Sequence, residues 1–270
     1  MKPSEAEGFE PHASLVQLWV QPMDGRAGQF EEVAEETPVA LTLNGVSQAV
    51  MMATPSDLED FAFGFALTEG WIDHRHQVLD VEIQPQDAGV VVDLATTAAC
   101  EHRQRARRRT MAGRTGCGLC GVESLQQMAA RGPARATAPS TPGGADPGAM
   151  VRASMAFQRH QHLQARCGGL HAAAWCGRDG EILLVREDVG RHNALDKLIG
   201  ALLRQGAGPG AGFVLMSSRC SYELVLKVSA AGIGALACVS APTAHAVRTA
   251  AACGVSLWGF VREGRASRYA

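Results

Sequence analysis

Beyond residue 169 the chain alternates two kinds of stretch, and that alternation restricts its fold more than any other feature. Segments 170–176, 181–186, 213–216, 235–239 and 255–261 are short apolar runs of strand length. Between them, 192–204, 222–231 and 242–252 read as helices; in the first, Ala194, Leu195, Leu198, Ile199 and Leu202 fall on one inner face. Strands and helices in this order predict a mostly parallel sheet covered on both faces, a three-layer α/β/α domain. Ser240 is read as the cap of the last helix and Gly254 as its stop.

The first part of the chain has a different texture. Residues 1–13 read as a disordered tail, 14–20 as a strand and 21–29 as a loop. Segments 38–43 and 46–53 flank Asn44-Gly45, which suits a type I′ turn, so they predict a hairpin. Thr54 is read as an N-cap, with Pro55 at the first helical position and Asp57 against the positive helix end. Leu58, Phe61, Ala62, Phe65 and Ala66 form that helix's buried face, Gly70 stops it, and Glu59, Asp60 and Glu69 are expected in solvent. Strands are predicted at 78–84 and 89–94, with His74 and His76 as surface residues before them. This gives a smaller N-terminal α+β domain over 14–131. Segment 132–149, rich in Pro, Gly and Ala, reads as a linker, and 150–270 as the α/β domain.

Gly116-Cys117-Gly118-Leu119-Cys120-Gly121 carries the most chemistry. Arg103, Arg105, Arg107, Arg108, Arg109 and Arg114 precede it, and a helical pattern follows it. Cations and a helix N-terminus both favour a thiolate, and the glycines let another molecule's sulfur come close. A C-x-x-C pair is half a zinc site, a dithiol couple or a persulfide carrier. Structural zinc wants about four ligands, and Cys167, His171 and Cys176 supply the rest only at poor spacing. Cys100, Cys176, Cys238 and Cys253 lie in apolar surroundings and read as small core residues.

In open α/β sheets ligands bind beyond the carboxyl ends of the strands. Four segments stand there: 167–171 with His171, 187–193 with Arg191 and His192, 217–221 with Ser217, Ser218 and Arg219, and 240–243 with Ser240 and Thr243. Hydroxyls, backbone N–H groups and arginines at strand-to-helix junctions predict one crevice for an anionic, phosphate-bearing ligand.

The formal net charge of −2 argues against broad nucleic-acid affinity. The opening residues lack a cationic-then-apolar leader, and no apolar run reaches the roughly 18 residues of a membrane span. The expectation is a cytoplasmic protein with reduced thiols.

The motifs together resemble the FdhD family of sulfur carriers required for formate dehydrogenase activity. The residues concerned are Phe61-Ala-Phe-Gly-Phe65, Leu67-Thr-Glu-Gly70, Cys117-Gly-Leu-Cys120-Gly121, Gly168-Gly-Leu-His-Ala-Ala173, Glu187-Asp-Val-Gly-Arg-His-Asn193 with Asp196-Lys197, 217–227, Val239-Ser-Ala-Pro-Thr243 and Gly259-Phe-Val-Arg262. The resemblance implies sulfur transfer from a cysteine desulfurase to the molybdenum cofactor, in its bis(molybdopterin guanine dinucleotide) form, before that cofactor enters the formate dehydrogenase catalytic subunit. It implies that Cys117 carries the persulfide, that Cys120 assists, and that Phe260, Val261, Arg262, Glu263, Gly264 and Arg265 contact the cofactor, whose place GDP would take. It implies a cytidine-deaminase-like second domain; the deaminase His-x-Glu with Pro-Cys-x-x-Cys is absent here. No tightly held metal is expected. A homodimer is expected, because a two-fold partner can screen an exposed thiol. The rival reading is a non-catalytic cofactor or guanine-nucleotide chaperone with a structural or zinc-binding C-x-x-C. The chain departs from the family at Cys167, where threonine is usual, and at Ser218, where glycine is usual.

Overall fold

The computed structural model describes residues 13–102, 146–206 and 212–270. Strands β1 (Leu15–Val20) and β2 (Gln29–Ala34) form a two-stranded antiparallel ribbon. Four more, β3 (Thr37–Leu43), β4 (Val46–Ala53), β5 (Val78–Gln86) and β6 (Gly89–Thr96), form a sheet in the order β4-β3-β6-β5. Asn44 and Gly45 have φ of 49° and 74°, the double positive φ of the I′ turn expected between β3 and β4. Val39, Leu41 and Leu43 alternate inward from β3, and Val90, Val92 and Leu94 from β6; they meet Leu58, Phe61 and Phe65 of helix α1 (Leu58–Thr68).

Helix α1 begins later than its sequence predicts. Asp57, with φ 52° and no side-chain cap bond, precedes Leu58, so Thr54 is not an N-cap and Pro55 is not helical. Thr54 is used elsewhere: its N–H donates to Asp188 Oδ2 and its hydroxyl accepts from Val189 N–H. Strand β2 also escaped the sequence reading, since its glutamates blur the alternation that β1 pairing reveals.

The second part contains α2 (Pro147–Phe157), α3 (Gln164–Cys167), β7 (His171–Gly177), β8 (Ile182–Asp188), α4 (Arg191–Gln205), β9 (Gly212–Met216), α5 (Tyr222–Ala230), β10 (Ala235–Cys238), α6 (Ala244–Cys253), β11 (Ser256–Arg262) and β12 (Arg265–Arg268). Helix α2 starts inside the segment read as a linker, capped by the Asp146 carboxylate on Gly148 N–H. The sheet order is β12-β11-β10-β9-β7-β8. Only β9–β10 and β10–β11 are parallel, so the sheet is mixed rather than mostly parallel. The reason is local. Tight turns join β7 to β8 and β11 to β12, and a tight turn reverses the chain, whereas parallel neighbours need a crossover. Helices α5 and α6 supply those crossovers.

Period two then splits the side chains between two layers. Ala173, Trp175, Val214, Met216, Leu236, Cys238 and Leu257 face α4, α5 and α6. Ala172, Ala174, Cys176, Phe213, Leu215, Ala235, Ala237 and Trp258 face Ala149, Met150, Ala153 and Phe157 of α2. The result is the three-layer α/β/α arrangement. As expected, Cys100, Cys176, Cys238 and Cys253 are buried.

The two parts meet along α1 and α4, where glycines allow backbone contact. A Cβ on Gly64 would lie 1.8 Å from the Asp196 carbonyl oxygen, and one on Gly200 1.8 Å from that of Asp60. Asp60, expected in solvent, is buried and held by Arg186 and Arg204; Glu69 lies 3.8 Å from Lys227. Two buried ion pairs flank the crossing. Lys197 Nζ is 2.7 Å from Asp188 Oδ2 and donates to the Thr54 carbonyl at 2.8 Å. Lys227 Nζ is 2.7 Å from Asp196 Oδ2 and donates to Thr68 Oγ1 at 3.0 Å.

Candidate functional site

Strands β9, β10 and β11 run the same way, so the junctions after them share one edge of the sheet. Strand β7 is antiparallel to β9 and paired to β8, so its first residue, His171, lies at that edge opposite Asp188. The four junctions predicted to line a crevice therefore do come together. Ser217 N–H donates to the Ala172 carbonyl at 3.0 Å, Cys220 N–H to that of Ala241 at 3.2 Å, and Phe260 N–H to that of Ser240 at 3.1 Å.

Many of the predicted site residues turn out to be occupied in holding this edge. Glu187 is buried and accepts from Leu163 and Gln164 N–H at 3.0 and 2.8 Å, anchoring the α3 turn. Asn193 donates to the Met52 carbonyl and to Asp188. Ser217 Oγ accepts from Ala172 N–H, and Ser218 is buried with its hydroxyl on the Arg219 carbonyl. Thr243, not Ser240, caps α6 by accepting from Ala246 N–H at 3.1 Å; Ser240 contributes its carbonyl to Phe260. Val261 is fully buried against the α2 layer. Glu263 and Gly264, with φ of 51° and 77°, form the exposed β11–β12 turn.

What remains accessible is cationic and aromatic. Arg191 and His192 are half-buried, and Arg219, Arg262 and Arg265 are exposed. His192 Nε2 lies 2.8 Å from Glu223 Oε2 and 3.5 Å from Ser221 Oγ. That bond holds the Glu223 carboxyl below its usual range. His171 is shifted down, first by burial and then by the charges of Arg191 and His192. Phe260 sits at a β-bulge with φ 52°, and the guanidinium carbons of Arg262 and Arg265 stand 5.9 and 5.1 Å from its ring centre. Gly259 is needed beside it, because a Cβ there would meet Pro242 Cδ at 2.6 Å. Glu223, and Tyr222 with its ring 4.8 Å from that of His245, were not picked out from sequence; an acid in the first turn of a helix reads simply as a charge on its positive end.

Cys117, Cys120 and the six arginines before them lie outside the described residues. Cys167 is half-buried at the end of α3 and accepts from Gly169 N–H at 3.5 Å. Cys176 lies five residues along β7 from His171, roughly 16 Å away at strand rise, with its thiol pushed up to about 12 by burial, so these two do not converge on one metal. Among the described residues no three His, Cys, Asp or Glu cluster as a metal site, and no helix is long and apolar enough to cross a membrane.

The fold and this edge define a class: a two-sheet α/β protein with a rim of arginines, histidines and one strained phenylalanine. Comparison with known proteins goes further, and the chain belongs to the FdhD/NarQ family, whose model matches residues 34–270. A Bordetella petrii relative called sulfur carrier protein FdhD is 52% identical over 245 residues, covering 91% of this chain and 87% of its own. A Cupriavidus necator protein of the same name is 52% identical over 241 residues, covering 89% and 82%. The crystal structure of a Desulfotalea psychrophila protein described as a formate dehydrogenase accessory protein matches the fold with a TM-score of 0.70 at 23% identity, over 94% of this chain and 95% of that one.

Proposed function

We propose that this protein is a cytoplasmic sulfur carrier that takes sulfur from a cysteine desulfurase and delivers it to the molybdenum cofactor destined for formate dehydrogenase. The observation that carries the reading is half-identity, over nearly the whole chain, to relatives named as sulfur carriers. In the first step the Cys117 thiolate attacks the outer sulfur of the donor's persulfide. A Cys117 persulfide forms and the donor leaves as its thiolate. In the second, the Cys120 thiolate attacks the inner sulfur of that persulfide. The Cys117–Cys120 disulfide forms, sulfide departs to the metal of the cargo, and a dithiol reductant resets the pair.

The cargo is a bis(molybdopterin guanine dinucleotide), a planar base with a pyrophosphate. The edge fits such chemistry: Arg191, Arg219, Arg262 and Arg265 suit phosphate oxygens, and the Phe260 ring suits a base. The three-layer second part supports a cytidine-deaminase-like reading of that domain. Intact-mass spectrometry after incubation with a desulfurase and cysteine tests the first step: one added sulfur is expected, and none in Cys117→Ser. Addition that survives this substitution refutes the assignment. Stoichiometric zinc in the reduced protein would instead favour the chaperone reading. GDP should raise the melting temperature; no response to any guanine nucleotide would refute the crevice.

A further inference from the structure

Strand β1 reads Leu-Val-Gln-Leu-Trp-Val and carries no charge over its whole length. Among the described residues its backbone pairs on one side only, with β2. Leu18 and Trp19 are 50% and 55% exposed on it. An apolar edge of this length ordinarily carries a lysine, a proline or a bulge that blocks edge-to-edge pairing, and β1 has none of the three. The charges of the ribbon sit on the other strand. Glu31 and Glu32 belong to β2, and Glu32 is already engaged by Arg166 of α3. Ala34 also lies 3.7 Å from the position of a Cβ on Gly169. The ribbon is thus rooted on its β2 side, at the turn that leads into His171, and open on its β1 side.

We propose that β1 is a homodimer seam, pairing antiparallel with the β1 of a second copy to make a four-stranded sheet. Charge selects this occupant. Two-fold pairing through β1 leaves the glutamates of both β2 strands on the outer edges, separated by three inter-strand gaps of about 4.8 Å each. No like charges then face one another directly, and the uncharged strands meet in the middle. An isologous contact of this kind closes on itself, so it gives dimers rather than fibres. The inference does not depend on the sulfur-carrier reading, and β1 lies ahead of the matched span that begins at residue 34. The other uncharged edge, β4, is obstructed at its far end, where the Met52 carbonyl accepts from Asn193.

Sedimentation equilibrium of the full chain at micromolar concentration tests the seam. The wild type is expected as a dimer, and Leu18→Lys and Gln17→Pro as monomers. Val50→Lys, on β4, is expected to remain a dimer. Circular dichroism and melting temperature show whether each variant is folded; Leu18 is half in solvent, so the lysine itself has room. A spin label at Gln17 gives a second readout that needs no loss of fold: a short inter-subunit distance is expected. A wild-type monomer, a dimer that survives both β1 variants, or one that only Val50→Lys dissociates overturns the proposal. A monomer in which deletion of residues 1–12 creates the dimer also overturns it, since the edge would then be covered from within the chain.

Discussion

At the residue scale, the polar string 187–197 does two jobs that its sequence cannot separate. Arg191 and His192 are available to a ligand, while Asp188, Asn193 and Lys197 fix the two parts of the molecule together. Burial pushes the Lys197 ammonium down, and Asp188 opposes that shift. Removing one partner leaves the other charge unpaired in the interior, so Asp188→Ala is expected to cost about 3–5 kcal/mol in urea unfolding. The apolar pair Asp188→Leu with Lys197→Met should recover part of that loss, although the bonds from Thr54 and Asn193 stay broken. His171 gives a pH prediction. Its folded value lies below the ordinary 6.5, so in the window just under 6.5 the unfolded chain binds more protons. Stability should therefore rise with pH through that window and then lose this contribution to the slope. Unfolding midpoints of the wild type and His171→Gln, compared from about pH 5 to about pH 8, check it. Equal slopes would show that His171 does not titrate differently in the fold.

At the scale of elements, the α1–α4 crossing depends on two glycines. Replacing glycine by alanine within a helix normally gains up to about 1 kcal/mol in propensity. Here the added methyl would enter the Asp60 carbonyl of α1, and backbone cannot move as a side-chain tip can. Gly200→Ala is therefore expected to destabilise by at least about 1–3 kcal/mol, a reversal of sign that chemical denaturation reads directly. This contact also shows what the sequence conceals. The inner face of α4, from Ala194 to Leu202, was legible from its spacing, as were the β3–β4 hairpin and most strands. The opposite face of α4, with Asp196, Lys197 and Gly200, is buried as well, because α1 lies on it. Nothing in a helical pattern announces a second neighbour. The same tertiary contact took Thr54 away from its expected cap and drew Asp60 out of solvent. Strand direction was misjudged for a related reason: apolar runs look alike whether a tight turn or a helix leads to the next one. The crevice edge was nevertheless foreseen, because junction chemistry stays at the junction whatever the neighbouring strand's direction. Glu223 and the split of segment 260–265 into a ring with arginines, a core valine and a turn became visible only with the side chains placed.

At the scale of the molecule, the question is whether two cores behave as one cooperative unit. The first sheet and α1 bury their own cluster around Phe61 and Leu41, and the second sheet buries one cluster on each face. Leu67 packs against both the first core and the helical side of the second, and Leu203 of α4 packs against the first. With two buried ion pairs beside a glycine crossing, separating the parts would expose charge that folding has desolvated. The expectation is a single transition. Tryptophan reports it in both places, since Trp71 belongs to the first core and Trp175 to the second. Variants retaining only one of these as a fluorescent probe should show coincident midpoints in urea. Gly200→Leu drives α1 from α4 without touching either core's interior, so in that background the two midpoints should separate. Continued coincidence would place the coupling in the Asp188–Lys197–Thr54 contacts instead, and Asp188→Ala would then be the variant that splits the transition.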